Sequence, residues 1–293
     1  MSLLLTHLDG HPDILNHLKK TLNIPAYPII HHQFPDQESL IKINWSCENQ
    51  TVLLLTSLEN PNPKILPLLF AAKTLKAKGA KQVILIAPYL AYMRQDKSFH
   101  PSEGITAHYF AELISPYFDG LITIDPHLHR IPELSDIYSI PTFVGHAAPL
   151  LAEWIKNHLS QPVLIGPDAE SEQWIKATAQ NQNLPHFALE KKRLGDTSVE
   201  ITSEDLTQWQ THTPVLVDDI ISSGHTMIEA SKLLREQLGK KPAIVCIHGL
   251  FAQNSDALLL PYCTQLITTN AVLHQSNQID VTPLIVEGIH QLT

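Results

Sequence analysis

Short β-branched runs alternate with amphipathic segments along the whole chain, and this alternation restricts the fold more than any other feature. TVLLLTSL (51–58) reads as a buried strand. KILPLLFAAKTLKAKGA follows as a helix that Gly79 stops, then QVILIAPYL as a strand, TAHYFAELISPYF as a helix and GLITIDPH as a strand. Strand–helix–strand order of this kind predicts a mainly parallel sheet with helices on its faces. The first forty-odd residues read as a strand, a helix and then LIKIN as a strand, which predicts an antiparallel edge on that side.

The second half repeats the scheme. HAAPLLAEWIKNHL reads as a helix, PVLIGPD as a strand, AESEQWIKATAQNQN as a helix, TPVLVDDI as a strand, TMIEASKLLREQLG as a helix and AIVCIHGLF as a strand. HFALEKKR and TSVEI flank a polar, basic turn. At 293 residues the chain is long enough for two α/β domains, each with its own core. The break at SIPTFVGH divides them into 1–145 and 146–293, two similar units without a strict sequence repeat.

Composition excludes several classes of function. Hydrophobic residues at 44% and charged residues at 17% describe a globular chain, not a disordered one. A net charge of −9 argues against a broad nucleic-acid footprint, yet leaves room for an anionic ligand held by a few local cations. Cys47, Cys246 and Cys263 are far apart and form no C-x-x-C pair, which fits a reducing compartment and excludes a disulfide scaffold or zinc ribbon. No basic residue precedes the short apolar run in MSLLLTHLDGH, and no apolar stretch reaches membrane-spanning length. The expectation is a soluble cytoplasmic protein that engages neither nucleic acid nor membrane.

The sharpest constellation is VLVDDIISSGHTMIEA (215–230). An apolar strand ends in Asp218 and Asp219, and a loop of Ser222, Ser223, Gly224, His225 and Thr226 leads into an amphipathic helix. In open α/β sheets ligands bind at the carboxyl ends of strands, and small residues ahead of a helix present backbone N–H groups where the dipole favours an anion. A phosphate suits such a loop, with the adjacent acids left to hold sugar hydroxyls or a divalent cation. Thr226 and Glu229 have capping-box spacing, so an ordinary capped turn would read the same way.

Other segments are weaker alone. Arg94, Gln95, Asp96 and Lys97 follow a strand end, where a guanidinium can reach a phosphate, though a solvated loop also fits. Asp168 follows another strand, as a metal ligand or as a helix N-cap. His127 and His129 form an H-x-H pair, which opens a metallohydrolase reading, although no second His pair with matching carboxylates follows. Lys191, Lys192 and Arg193 sit on a polar turn that is locally cationic in an acidic chain.

In order and spacing these segments resemble those of the ribose-phosphate pyrophosphokinases (PRPP synthetases), whose fold is that of the type I phosphoribosyltransferases. Segment 215–230 is similar to the phosphoribosyl-pyrophosphate loop, with Ser223 for the usual Thr and His225 for the second Gly. APYLAYMRQDKSFHPSEGI (87–105) resembles the family's ATP-contacting R-Q-D-K segment. HHQFPDQESLIKI (31–43) resembles the F-x-D-G-E segment at the adenine end of ATP, with Gln37 where the family has Gly. Asp125 and His127 match a D-x-H whose His binds Mg–ATP, while His129 has no counterpart and is assigned to the surface. Asp168 falls on the metal-binding Asp of S-P-D-A-G-G, with Glu170 and Ser171 in place of the glycines. Glu190, Lys191 and Arg193 match a mobile K-x-R loop.

The resemblance implies transfer of the β,γ-pyrophosphoryl group of ATP to the 1-hydroxyl of ribose 5-phosphate, giving PRPP and AMP, in two phosphoribosyltransferase-like domains with the site near their junction. Phe34, Asp36, Gln37, Glu38, Arg94, Gln95 and Asp96 would bind ATP, and His127 and Asp168 would hold Mg2+. Asp218 and Asp219 would contact the ribose hydroxyls, residues 222–226 would hold the 5-phosphate, and Lys191 and Arg193 would serve catalysis. A homo-oligomer is implied as well. A phosphoribosyltransferase that consumes PRPP and a non-catalytic nucleotide-binding relative remain as alternatives.

Overall fold

The computed structural model describes residues 2–8, 11–98, 100–180, 182–193, 199–202 and 206–293, with side chains at all of these except 190–193 and 199–202. It divides into two compact units, one formed by Met1–His146 with Val281–Thr293 and the other by Ala147–Asp280.

Unit 1 runs β1 (Leu3–His7), α1 (Pro12–Leu22), β2 (Ala26–Pro28), β3 (Ile30–Gln33), β4 (Ser39–Lys42), β5 (Thr51–Leu55), α2 (Asn62–Ala77), β6 (Gln82–Ile86), α3 (Thr106–Ile114), β7 (Gly120–Ile124) and β8 (Thr142–Gly145). Its six-stranded sheet has the order β2-β1-β5-β6-β7-β8. Every pairing in it is parallel. All five residues of β5 and all five of β7 are buried, the near-continuous apolar strand expected of a sheet covered on both faces. The antiparallel edge expected from the sequence is not part of this sheet. β3 and β4 do pair antiparallel, but as a separate two-stranded hairpin, and β2 closes the main sheet in parallel with β1.

Unit 2 runs α4 (Ala148–His158), β9 (Pro162–Gly166), α5 (Glu172–Gln180), β10 (His186–Ala188), β11 (Glu190–Arg193), β12 (Val199–Thr202), β13 (Thr213–Ile221), α6 (His225–Leu238), β14 (Ala243–Gly249), α7 (Ser255–Leu259), β15 (Gln265–Thr269) and β16 (Asn277–Ile279). Its parallel sheet has the order β10-β9-β13-β14-β15-β16. In both sheets the second strand lies outside the first and the rest follow on the other side. In both, a separate antiparallel hairpin follows the second strand, β3–β4 in one and β11–β12 in the other. The segment read as a helix from residue 169 opens with a 3-10 turn, Ala169–Ser171, before α5 begins.

The last helix, α8 (Thr282–Leu292), packs on β7, β8 and α1, so residues 281–293 join unit 1 although the sequence division at 145/146 leaves them with the second half. Gly288 makes this approach possible: a Cβ built there would lie 2.5 Å from Phe143 Cδ1 and 3.0 Å from Ile122 Cγ2. Gly288→Val should therefore destabilise unit 1 by about 1–3 kcal/mol, the usual cost of overpacking. Thermal denaturation reads this as a lower Tm; an unchanged Tm would count against the docking of α8 on β7 and β8.

Candidate active site

In unit 2 the connections leave β9 and β13 in opposite directions across the sheet. The gap between their carboxyl ends is the topological switch point, where open α/β sheets bind ligands. Of the predicted residues of this half, Asp168 follows β9, Asp218 and Asp219 lie on β13, and 222–226 follow β13. β13 runs on to Ile221, so Asp218 and Asp219 lie inside the strand and not at its end. Asp219 is buried, and its backbone N–H donates to Asp218 Oδ1 at 3.0 Å. Asp168 follows β9 directly and caps the 3-10 turn: its Oδ1 accepts from Ser171 N at 3.3 Å, and its own N–H donates to Ser171 Oγ at 3.3 Å. Ser171 thus gives this turn a reciprocal cap where the family pattern has glycine.

The three carboxylates feel one another. Burial is the largest cause that pushes the Asp218 carboxyl well above the ordinary carboxylate range, followed by the charges of Asp219 and Asp168. Cys246 pairs with Asp218 in register on β14. Its thiol is also pushed well up, first by burial and then by the same two strand acids, which makes it a poor nucleophile.

Ser222, Ser223 and Gly224 join β13 to α6. Gly224 is the N-cap at φ 74, a left-handed conformation in which a side chain is strained, and the cap has no side-chain hydrogen bond. The capping box expected from Thr226 and Glu229 is not formed, because the helix starts at His225 with Gly224 as its N-cap, two residues ahead of Thr226. Glu229 instead accepts from Lys232 Nζ at 3.1 Å. The first intrahelical bond is Ile228 N to Gly224 O at 3.0 Å, so helix geometry leaves the N–H groups of His225, Thr226 and Met227 without an intrahelical acceptor. His225 is exposed, with Nδ1 3.2 Å from Ser223 Oγ, so its ring lies along the loop.

In unit 1 the predicted nucleotide residues follow β6 and β7 or lie on the β3–β4 turn. His127 sits just past β7 at φ 58, and Asp125 before it at φ 33; two non-glycine residues held left-handed at a strand end are costly, a pattern that clusters at functional sites. The His127 and His129 rings lie 4.3 Å apart, so His129, read from sequence as a surface residue, packs on its neighbour. Arg94 is exposed. Gln95 Oε1 accepts from Thr106 N at 3.0 Å and caps α3. Asp96 is buried and takes Arg130 Nη1 at 3.0 and 3.2 Å, an ion pair that ties the loop after β6 to the loop after β7.

Phe34, Asp36, Gln37 and Glu38 form the exposed turn of the β3–β4 hairpin. Phe34 N donates to Glu38 O at 2.8 Å, and Glu38 N donates to Asp36 Oδ1 at 3.2 Å. Gln37 stands at φ 75, which explains why a glycine suits that place in the family pattern. The backbone of Lys191 and Arg193 forms β11, while their side chains lie outside the described residues.

Two residues escaped the sequence reading. Arg130 was visible as an arginine three places after His127, but its partner Asp96 is 34 residues away. His146 follows β8, and its Nδ1 lies 3.0 Å from Oδ1 of the buried Asp125. That hydrogen bond raises the His146 pKa, against partial burial, which lowers it. Only strand adjacency brings this pair together. The switch point of unit 1, after β5, has its own cluster: Lys64 Nζ donates to Ser57 O at 2.8 Å and to Glu59 Oε1 at 2.7 Å, and Ser57 Oγ donates to Glu59 Oε2.

Residues 3–117 match the N-terminal domain of ribose phosphate pyrophosphokinase, and residues 133–281 match the phosphoribosyl transferase domain. The chain is 30% identical to a ribose-phosphate pyrophosphokinase of Methanopyrus kandleri over 280 residues, 94% of each chain. It is 31% identical to one of Sulfurisphaera tokodaii, covering 93% of this chain and 95% of that one. In fold it is similar to phosphoribosylpyrophosphate synthetase from Mycobacterium smegmatis, with a TM-score of 0.86 at 23% identity over 100% of this chain and 99% of that one. Matches that together span both halves of the chain, on a sheet order and loop placement already described, leave one conclusion: the chain belongs to the ribose-phosphate pyrophosphokinase family.

Proposed function

We propose that the chain transfers the β,γ-pyrophosphoryl group of ATP to the 1-hydroxyl of ribose 5-phosphate, giving PRPP and AMP. The observation that carries this reading is the switch point of unit 2, where uncapped helix N–H groups behind Gly224 lie next to the Asp218–Asp219 pair. A sugar phosphate has both features these groups recognise: a dianion for the loop and vicinal hydroxyls for the carboxylates. The match of residues 3–117 to the N-terminal pyrophosphokinase domain weighs against a simple phosphoribosyltransferase.

On this reading Ser222, Ser223, Gly224, His225 and Thr226 hold the 5-phosphate, and Asp218 and Asp219 orient the ribose hydroxyls. Phe34 stacks on adenine, and Asp36, Gln37 and Glu38 meet its edge or the ribose. Arg94 binds the triphosphate, while Gln95 and Asp96 act through the position of their loop, given the cap and the Arg130 pair described above. Lys191 and Arg193 neutralise charge on the transferred group; phosphoryl transfer asks the protein for alignment and charge compensation more than for covalent help.

The oxygen donors also suit Mg2+, a hard cation that would relieve the repulsion raising the Asp218 pKa. His127 on the nucleotide side and Asp168 on the sugar side are each assigned as magnesium ligands. When bound, the metal supplies neutralisation of triphosphate charge.

A cytoplasmic location belongs to the same proposal and rests on three unpaired, buried cysteines. Among the described residues no helix is long and apolar enough to cross a membrane. A homo-oligomer is proposed too: Ile30, Phe34 and Leu40 are exposed on a two-stranded hairpin, an element that is marginal by itself.

Incubation with Mg–ATP and ribose 5-phosphate should yield AMP and PRPP in equal amounts. Lys191→Ala combined with Arg193→Ala should abolish most of that turnover with little change in Tm, because β11 and β12 pair with each other outside the parallel sheet. Near-normal turnover would remove the assigned role. The acid pair sets a pH dependence. With its pKa raised in the folded state, Asp218 costs stability as pH climbs from the ordinary aspartate value toward the raised one. Asp218→Asn should therefore melt at the same temperature as the parent near or below about pH 4, and above it by pH 8. Both should be measured without divalent cations; parallel curves would contradict the raised pKa of Asp218.

A further inference from the structure

The backbone behind the sugar-phosphate loop is braced by the segment that connects β14 to α7. Leu250 N and Phe251 N donate to Ile221 O at 2.9 and 3.2 Å, and Ala252 N donates to Ser222 O at 3.0 Å. Ser255 Oγ then donates to the same Ser222 O at 2.7 Å. Ser255 is 1% exposed, and that bond gives its buried hydroxyl a partner. At the other end of the loop, a Cβ on Gly224 would lie 3.1 Å from the buried Leu259 of α7.

This brace is conformationally expensive. Phe251, Gln253 and Asn254 all have left-handed backbones, at φ 43, 56 and 60. Asn adopts that region readily, but Phe and Gln persist there only where their surroundings over-determine them. Here the surroundings are specific. The Phe251 ring packs 4.3 Å from the ring of His274. His274 Nε2 lies 3.3 Å from Asp256 Oδ2 at the start of α7, and its Nδ1 lies 2.7 Å from Ser276 Oγ. Ser276 Oγ in turn lies 2.7 Å from Thr268 Oγ1 on β15. β15, the loop that follows it and the start of α7 thus hold one distorted turn against Ser222.

We infer that Ser255 is a positioning residue for the sugar-phosphate loop: by fixing the Ser222 carbonyl it aims the Ser223 N–H at the bound phosphate. The step follows from the planar trans peptide, in which the carbonyl and the next N–H point in opposite directions. A carbonyl pinned toward α7 turns the Ser223 N–H to the side away from α7, before any ligand arrives. Donors fixed in advance bind an anion without reorganising. Ser255 itself touches no ligand; its effect passes through the Ser222–Ser223 peptide.

This inference rests on the reading of 222–226 as the phosphate loop, and two variants separate the failures. Ser255→Ala should raise the KM for ribose 5-phosphate about three- to tenfold, the worth of one buried hydrogen bond. The KM for ATP should move by less than about twofold, and kcat should fall less than the KM rises. Thr226→Ala, made within the loop, should raise the same KM. If Thr226→Ala raises it and Ser255→Ala does not, the positioning role is overturned and the loop reading survives. If neither variant moves it, both fall. A loss of Tm in Ser255→Ala with both KM values raised alike would make Ser255 a merely structural residue and would also overturn the inference.

Discussion

Parallel pairing points every strand of a sheet the same way, and the rest of the structure depends on that constraint. Hydrogen bonds between parallel neighbours require crossover connections, the crossovers become helices, and the helices bury both faces of the sheet. One consequence is the core: β5, β7 and β14 are buried at every position. The other is chemical. All the carboxyl ends in a sheet open at one edge, so residues far apart in the chain gather there without contacts of their own. Asp168 and Asp218 are fifty positions apart in sequence and still repel each other, because β9 and β13 are neighbours in register.

That geometry explains what was legible beforehand. The strand and helix alternation, the two similar halves and the hairpin around 188–201 could be read because each is written in local periodicity or turn chemistry. The acids and small loop of 215–230 could be read because strand, loop and helix are contiguous. The hairpin β3–β4 was misassigned to a sheet edge: alternation identifies a strand but carries no information about which strand it joins. The Thr226 capping box failed for a related reason. Its spacing was correct, but Gly224 can turn left-handed and take the N-cap place two residues before Thr226, which no side-chain pattern announces.

The partnerships that organise the candidate site were the least legible. Arg130 with Asp96, His146 with Asp125, and Ser255 with Ser222 each join residues 21 to 34 positions apart. None has a spacing rule, since each depends on which strand ends are adjacent. Local pattern therefore marks candidate residues more readily than it marks the scaffold behind them. The departures Ser171 and Gln37 are instructive in the same way. One builds a reciprocal cap and the other accepts a strained backbone, and in both cases the turn survives the loss of a glycine.

The repeated strand order gives each half a socket of the same kind, between its first and third strands. In unit 2 the socket presents unspent donors. In unit 1 the corresponding socket is stoppered from within, since Glu59 already occupies the ammonium of Lys64 and the hydroxyl of Ser57. A free anion arriving there would have to evict a tethered carboxylate whose effective concentration is far higher than its own. Symmetry of architecture therefore does not bring symmetry of bonding: one half leaves helix donors without an intrahelical partner, and the other has moored its own side chain at the matching place.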